Sequence, residues 1–190
     1  MVVLLGCSGQ PSQEAIIKTL RHLVAILSLG LFVCPELLAR KERGHAPKCD
    51  EKIQLPNAAL AALKKTPDVA VSCRLKPSLI EGDFDGDGKP DYAVLVTQRE
   101  QNNRGFLIAF GNGQRVVAGA GRAVKYGPAA ASDLNFDQWE LYRKSRPVES
   151  TERQEPLKLK GDALLVRYHE GASGLYYWDG KRVRWYQQGD

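Results

Sequence analysis

Residues Glu81–Leu95 read EGDFDGDGKPDYAVL and contain the clearest structural pattern in the sequence. Its first half is acidic and rich in glycine, whereas an apolar run, Tyr92–Thr97 (YAVLVT), begins directly after Asp91. A short and almost continuous apolar run is typical of a strand buried on both faces. Because apolar Leu79 and Ile80 precede the acidic half, the stretch predicts a strand, a tight loop and a second strand in succession.

The loop carries four carboxylates within nine residues: Asp83, Asp85, Asp87 and Asp91. Charges of one sign this close together repel one another unless a cation neutralises them. Alternation along a curled loop points the first three side chains toward one centre. Gly86 and Gly88 permit the backbone turns, including positive φ, that such a curl requires. The pattern therefore predicts a metal site.

The predicted ion is Ca²⁺, because the donors are all oxygens and several of them are carboxylates. The carbonyl oxygen of Lys89, at position 7 of the loop, is predicted to complete the set. Val94 occupies position 12, where an EF-hand loop has its bidentate Glu, so the loop differs from that of a calcium sensor. The alternative is a hydrated turn without an ion, since Asp and Gly are common turn residues.

The loop resembles the FG-GAP or VCBS-type calcium loop of secreted bacterial proteins and integrin-like propellers. In that family the Asp residues of the DxDxDGxxD motif bind Ca²⁺, which implies Asp83, Asp85, Asp87 and Asp91 here. One copy cannot form a propeller, which needs several blades. The chain is also similar to small exported bacterial proteins that combine this loop with a C-terminal hairpin like YWDGKRVRWYQ. The resemblance implies a calcium site and no activity.

The remaining pattern predicts an α+β fold in residues 53–190. Pro56–Lys65 (PNAALAALKK) predicts a short helix, with Leu60 and Leu63 facing a sheet. Apolar segments separated by turn residues predict antiparallel strands, namely Phe106–Phe110, Ala163–Tyr168, Leu175–Trp178 and Arg182–Tyr186. The expected architecture is an antiparallel β meander with the N-terminal helix packed on one face.

The N-terminal part is predicted to direct export. Leu23–Val33 is an uncharged apolar run, and Lys18 and Arg21 lie just before it. This order is typical of a secretory signal, which predicts an N-terminal extension and signal peptide over residues 1–39 and a flexible leader over 40–52. The mature protein is then periplasmic or secreted and meets the membrane through the signal segment alone. An uncleaved membrane anchor is the alternative.

Cys49 and Cys73 are the two cysteines, of four, that remain after removal of the signal segment. An even pair in an exported protein predicts one disulfide. Two buried free thiols are the alternative. The spacing does not match a cysteine metal site, because there is no CxxC motif.

The last strands are rich in aromatic residues. Alternation about the Asp179-Gly180 turn predicts that one exposed face carries Tyr177, Arg182, Arg184 and Tyr186. Such a face could bind a glycan, an anionic polymer or an envelope protein. Ordinary sheet packing, with Arg stems over aromatic rings, is the alternative. The net charge of +5 is dispersed along the chain, which argues against nucleic-acid binding.

No catalytic motif is evident in the sequence. His45 lies in the leader and His169 at a strand end, and no GxSxG motif is present. We therefore expect an exported, non-enzymatic calcium-binding protein with a structural ion and a binding role in the cell envelope. The alternatives are an inhibitor or immunity-type protein that blocks an envelope enzyme, and a secreted hydrolase.

Overall fold

The computed structural model describes residues 49, 53–126, 129–149, 155–169 and 171–189. In this part of the chain a single helix, α1 (Asn57–Lys64), precedes eleven strands, and every strand pairing is antiparallel. The strands are β1 (Val69–Val71), β2 (Leu79–Gly82), β3 (Asp91–Gln98), β4 (Arg104–Ala109), β5 (Arg115–Gly119), β6 (Val124–Tyr126), β7 (Ala129–Ala131), β8 (Gln138–Tyr142), β9 (Ala163–Arg167), β10 (Ser173–Trp178) and β11 (Val183–Gly189).

The expected class is confirmed in its coarse form. Antiparallel strands dominate the structure, and the helical part is one short helix within one residue of its predicted bounds. The predicted signal segment (1–39) and leader (40–52) lie outside the described residues, apart from Cys49. Among the residues that the structure describes, no helix combines the length and the apolar character needed to cross a bilayer.

The first sheet has the order β1-β3-β4-β5, and β2 also pairs with β3. Strands β2 and β3 form a hairpin in which Gly82 lies opposite Asp91 and Leu79 opposite Val94. The acidic loop therefore connects two adjacent strands, as the order of apolar and acidic residues predicts. The hairpin brings the two ends of the loop together.

The second sheet has the order β11-β10-β9-β8, so its strands are neighbours in sequence as well as in space. A separate two-stranded sheet, β6-β7, lies between the two larger sheets in sequence. The main core contains residues of both large sheets, including Leu95 and Phe106 from the first and Leu164 and Tyr176 from the second. The rings of Phe106 and Tyr176 are 5.3 Å apart between centroids, so the two inner faces are in direct contact.

A second core cluster joins α1 to the outer face of the first sheet. Ala59 and Ala62 are buried against Val94, Val96 and Leu107. With one core on each face, β3 is buried along most of its length, which is the reason for its apolar run. Leu63 packs partly against this cluster, but Leu60 is 41% exposed, so its predicted contact with the sheet is wrong. The small alanine side chains, rather than Leu60, face the strands.

The prediction that the C-terminal aromatic–basic face is exposed is wrong. Tyr177 and Arg184 are cross-strand partners and share a face with Tyr186, as alternation requires. This face is covered, however, because Tyr186 is only 7% exposed and its hydroxyl donates to the Glu155 carbonyl at 3.0 Å. Tyr177 and Arg184 are half-buried, and Arg182 alone of the four is exposed.

The cover comes from the segment that follows β8. Val148, Leu157 and Leu159 pack against the cluster that contains Tyr186 and Leu175. In the sequence these three apolar residues stand among polar ones. Partial burial of these three side chains stabilises the described parts of the segment on the sheet.

Candidate metal site in the β2–β3 loop

Two glycines shape the acidic loop. Gly86 and Gly88 have φ values of 80° and 82°, in the left-handed region that side chains rarely adopt. Gly86 is also tightly packed, because a Cβ atom there would lie 2.5 Å from the Lys160 carbonyl oxygen. Any larger residue at position 86 would push the loop away from the segment before β9.

Three of the four predicted carboxylates are brought together. Asp83, Asp85 and Asp91 each offer a carboxylate oxygen, and these three oxygens lie within 4.8 Å of one another. Oxygens bound to one Ca²⁺ ion, each about 2.3–2.6 Å from it, are at most about 5 Å apart. The group is therefore compact enough to hold a single metal ion.

Asp91 organises the loop from inside the protein. The residue is fully buried, and its Oδ2 accepts hydrogen bonds from the backbone N–H of Phe84 (2.8 Å) and of Asp85 (3.2 Å). Its Oδ1 accepts from the Gly111 N–H at 2.7 Å. Burial raises the pKa of Asp91 above its ordinary value, although these N–H groups partly offset the effect. Keeping this carboxylate charged is therefore costly without further positive charge nearby.

Asp83 has one paired oxygen and one unpaired oxygen. Its Oδ2 accepts from the Lys144 ammonium at 2.7 Å, whereas its Oδ1 is buried and no described group lies in hydrogen-bonding geometry to it. Burial pushes the pKa of Asp83 upward, but the Lys144 bond and the nearby N–H groups of Gly88 and Gly86 outweigh burial and lower it overall. A buried carboxylate oxygen without a hydrogen-bond partner is costly, and a cation could satisfy it.

The other two predicted loop ligands are arranged differently. Asp85 accepts from the Asp87 N–H at Oδ1 and from the Asn112 amide at Oδ2, both at 3.1 Å. Asp87 lies outside the grouped carboxylates; it is exposed and accepts from the Lys89 N–H (2.8 Å) and the Lys89 ammonium (3.2 Å). Ligation by Asp87 and by the Lys89 carbonyl oxygen stays a prediction.

Sequence reasoning missed Asp162, which ties the loop to the second sheet. Asp162 is 3% exposed, and its Oδ2 accepts from the Asp83 N–H at 3.1 Å. In return the Asp162 N–H donates to the Asp83 carbonyl at 2.6 Å. The position of Asp162 just before a strand was visible in the sequence, but nothing there indicates a partner 79 residues away.

Phe84 anchors the loop from its apolar side. It lies between two acidic residues in sequence, yet it is only 1% exposed and belongs to the main core. Gly161 lies against it so closely that an added Cβ would be 2.3 Å from the Phe84 carbonyl oxygen. The loop is thus held by the core, by Asp162 and by close glycine contacts.

The donor set fits a hard divalent cation. The grouped side chains are all carboxylates, one of them is fully buried, and one buried oxygen is unpaired. Oxygen ligands of this kind suit Ca²⁺, Mg²⁺ or Mn²⁺ rather than the softer metals that cysteine and histidine select. The structure therefore provides a group that could hold a metal ion.

Cys49 and Cys73 lie at disulfide distance, as the even cysteine pair predicts. Their sulfur atoms are 1.96 Å apart and their Cα atoms 5.4 Å apart. A disulfide is compatible with an oxidising compartment outside the cytosol.

Comparisons of the chain with models of protein families, with curated proteins and with solved structures found no match. The geometry of the acidic loop is therefore the main indication of what the protein does.

Proposed function

We propose that the chain is an exported, non-enzymatic protein whose β2–β3 loop binds one Ca²⁺ ion with a structural role. The observation that carries the proposal is the group formed by Asp83, Asp85 and Asp91, with oxygens within 4.8 Å of one another. The buried, unpaired Oδ1 of Asp83 supports it, because a cation would satisfy that oxygen.

Calcium is proposed over other hard cations for two reasons. A site rich in carboxylates suits Ca²⁺, whereas Mg²⁺ usually keeps several waters and few protein ligands. The DxDxDGxxD spacing also resembles FG-GAP or VCBS-type calcium loops. Val94, at the position of the EF-hand Glu, is buried in the core between α1 and the sheet. We therefore expect the weak affinity of extracellular modules, about 10⁻⁴–10⁻³ M.

A structural role is proposed because the loop joins parts of the fold that are far apart in sequence. It closes the β2–β3 hairpin, reaches the β4–β5 turn through Gly111, and reaches the segment before β9 through Asp162. An ion that binds these folded carboxylates, and not the unfolded chain, stabilises all three contacts together.

Two observations bear on the alternatives. Lys76 and Ser78 help to line an open cavity of about 610 Å³. The described residues that line this cavity include neither a carboxylate nor a histidine. The cavity thus offers no support for a hydrolase that works through paired carboxylates. The covered face around Tyr186 likewise offers no support for glycan binding.

Export is proposed from the apolar segment Leu23–Val33 and is compatible with the disulfide. The compartment matters for the ion, because a weak calcium site fills only where calcium is abundant. An affinity near 10⁻⁴–10⁻³ M suits an extracellular environment rather than the cytosol.

The test is thermal unfolding of the full chain in EDTA and then in 10 mM CaCl₂. At the expected affinity the ion stabilises the folded state by about 1.4–2.7 kcal/mol. For a protein of this size the melting temperature should rise by roughly 3–10 °C. Sodium chloride at equal ionic strength is the control for general screening. Identical melting temperatures in EDTA and CaCl₂ would show that the loop is only a turn, and the proposal would fail.

A further inference from the structure

A lysine just after strand β8 of the second sheet contacts the acidic loop. Lys144 follows β8, and its ammonium lies 2.7 Å from Oδ2 of Asp83. Asp83 is one of the three grouped carboxylates, so the chain itself supplies a cation at the edge of the candidate metal site. The Lys144 side chain is 41% exposed, which leaves room for the ammonium to move into solvent.

The fold holds both members of this ion pair in place. The Lys144 N–H donates to Oδ1 of Asp162 at 2.9 Å, and the Asp83 N–H donates to Oδ2 of the same carboxylate at 3.1 Å. Asp162 is 3% exposed and is also paired with Arg143 at 3.1 Å. One buried carboxylate therefore fixes the backbone of Lys144 and of Asp83 side by side. This differs from an ordinary surface ion pair, whose two side chains are held only by each other.

We propose that Lys144 is a tethered counter-ion that regulates the calcium site, an inference that rests on the function proposed above. Its ammonium neutralises Asp83 when calcium is scarce and thereby keeps the loop in shape. When Ca²⁺ binds, the ammonium and the ion compete for the same carboxylate and repel each other. The Lys144–Asp83 ion pair thus lowers the affinity for calcium. It also stabilises the folded protein when no calcium is bound.

The experiment is isothermal titration of CaCl₂ into the full chain and into its Lys144→Met variant, at low ionic strength and constant pH. Methionine keeps much of the apolar stem and removes the charge. Because Lys144 is partly exposed, solvent screening limits the effect to about a three- to tenfold tighter dissociation constant. Lys144→Arg, which keeps the charge, should bind like the wild type.

Lys125→Met is the matched control. Lys125 is an exposed lysine on β6, so this variant makes the same change in net charge at a position outside the acidic loop. Its calcium affinity should equal that of the wild type. A second readout is the melting temperature in EDTA, which Lys144→Met should lower while Lys125→Met leaves it unchanged. Lys144→Gln repeats the charge removal with a polar side chain if the Met variant folds poorly.

The outcomes separate this inference from the proposed function. Tighter binding by Lys144→Met, with the Lys125 and Arg variants unchanged, supports a tethered counter-ion. Calcium binding by the wild type with equal or weaker binding by Lys144→Met overturns the role of Lys144 and leaves the calcium site standing. No heat of binding in any variant, with no shift of the melting temperature, overturns both.

Discussion

Two aspartate–glycine turns of this protein differ in how far their negative charge is neutralised by nearby cations. In the β10–β11 turn, Asp179 accepts from the N–H groups of Lys181 and Arg182, both at 2.8 Å, and pairs with the Arg184 guanidinium at 2.6 Å. In the β2–β3 loop, Asp83 alone of the three grouped carboxylates forms an ion pair with a described residue, Lys144, while Asp87 outside the group pairs with Lys89. The carboxylate of the first turn is neutralised by an arginine of the adjoining strand β11, whereas the carboxylates of the β2–β3 loop outnumber the cations that pair with them.

An Asp-Gly turn is therefore not by itself evidence for a metal site. The two turns use the same residue types, and both are organised by carboxylates that accept backbone N–H groups. What separates them is the number of nearby cations and the burial of the carboxylates. The Asp179 carboxylate is paired with Arg184 of its own hairpin, whereas the loop at Asp83–Asp91 contains a group of carboxylates that could hold a metal ion.

The largest expected effect comes from removing the buried carboxylate of the acidic loop. Asp91→Ala leaves the N–H groups of Phe84, Asp85 and Gly111 without their acceptor. We expect a loss of about 2–4 kcal/mol in the free energy of unfolding, even in EDTA, because the buried hydrogen bond from the Phe84 N–H and the two part-buried hydrogen bonds from Asp85 and Gly111 would all lose their acceptor. Urea denaturation measures this loss.

Asp91→Asn is the matched variant for this position. It keeps the size of the side chain and one acceptor oxygen, so it should lose about half as much stability as Asp91→Ala. An Asp91→Ala protein as stable as the wild type in EDTA would show that the core and Asp162 hold the loop without Asp91.

The next effect should appear only when calcium is present. Asp85→Ala removes one grouped carboxylate whose side-chain contacts, to Asp87 and Asn112, lie near the surface. The variant should therefore melt close to the wild type in EDTA but lose most of the roughly 1.4–2.7 kcal/mol that 10 mM CaCl₂ adds. Thermal unfolding in EDTA and CaCl₂ measures both quantities.

Asp137→Ala is the control for Asp85→Ala, because it removes an exposed carboxylate outside the loop. It should keep the full stabilisation by calcium. If Asp85→Ala responded to calcium as strongly as Asp137→Ala, Asp85 would be eliminated as a ligand.

The smallest expected effect is on the stability of the protein in acid, and it depends on Asp179 in the β10–β11 turn. Hydrogen bonds from Arg184 and from the N–H groups of Arg182 and Lys181 outweigh burial and lower the pKa of Asp179 from 3.8 to about 2. Because the folded pKa is lower than the unfolded one, the stabilisation is present above pH 5 and is lost as the pH falls toward 2. With allowance for solvent screening, it amounts to about 1–2 kcal/mol.

Asp179→Asn should therefore be less stable than the wild type at pH 7, and the difference should shrink at pH 2.5. Urea denaturation of both proteins at the two pH values measures it. An equal difference at pH 7 and pH 2.5 would mean that the turn depends on the shape of Asp179 rather than on its charge.

Local sequence was sufficient to predict a structural feature wherever its pattern lies within one short segment. The four carboxylates and two glycines stand within nine residues, so the acidic loop could be located without a structure. The apolar run of β3 indicated a strand buried on both faces, and α1 was found within one residue of its bounds. Strand β8 gave a weaker signal, because QWELY mixes buried and exposed residues without an apolar run.

Residue spacing along the chain was enough to predict the acidic loop, the antiparallel hairpins and the cysteine pair. Tertiary contacts, by contrast, set which face of the β10–β11 hairpin is covered, since the covering residues come from the separate segment after β8. They also brought Asp162 and Lys144 to Asp83 and left Asp87 outside the grouped carboxylates. These outcomes depend on contacts between the two sheets, and residues that meet there are separated by 61 and 79 positions in the chain.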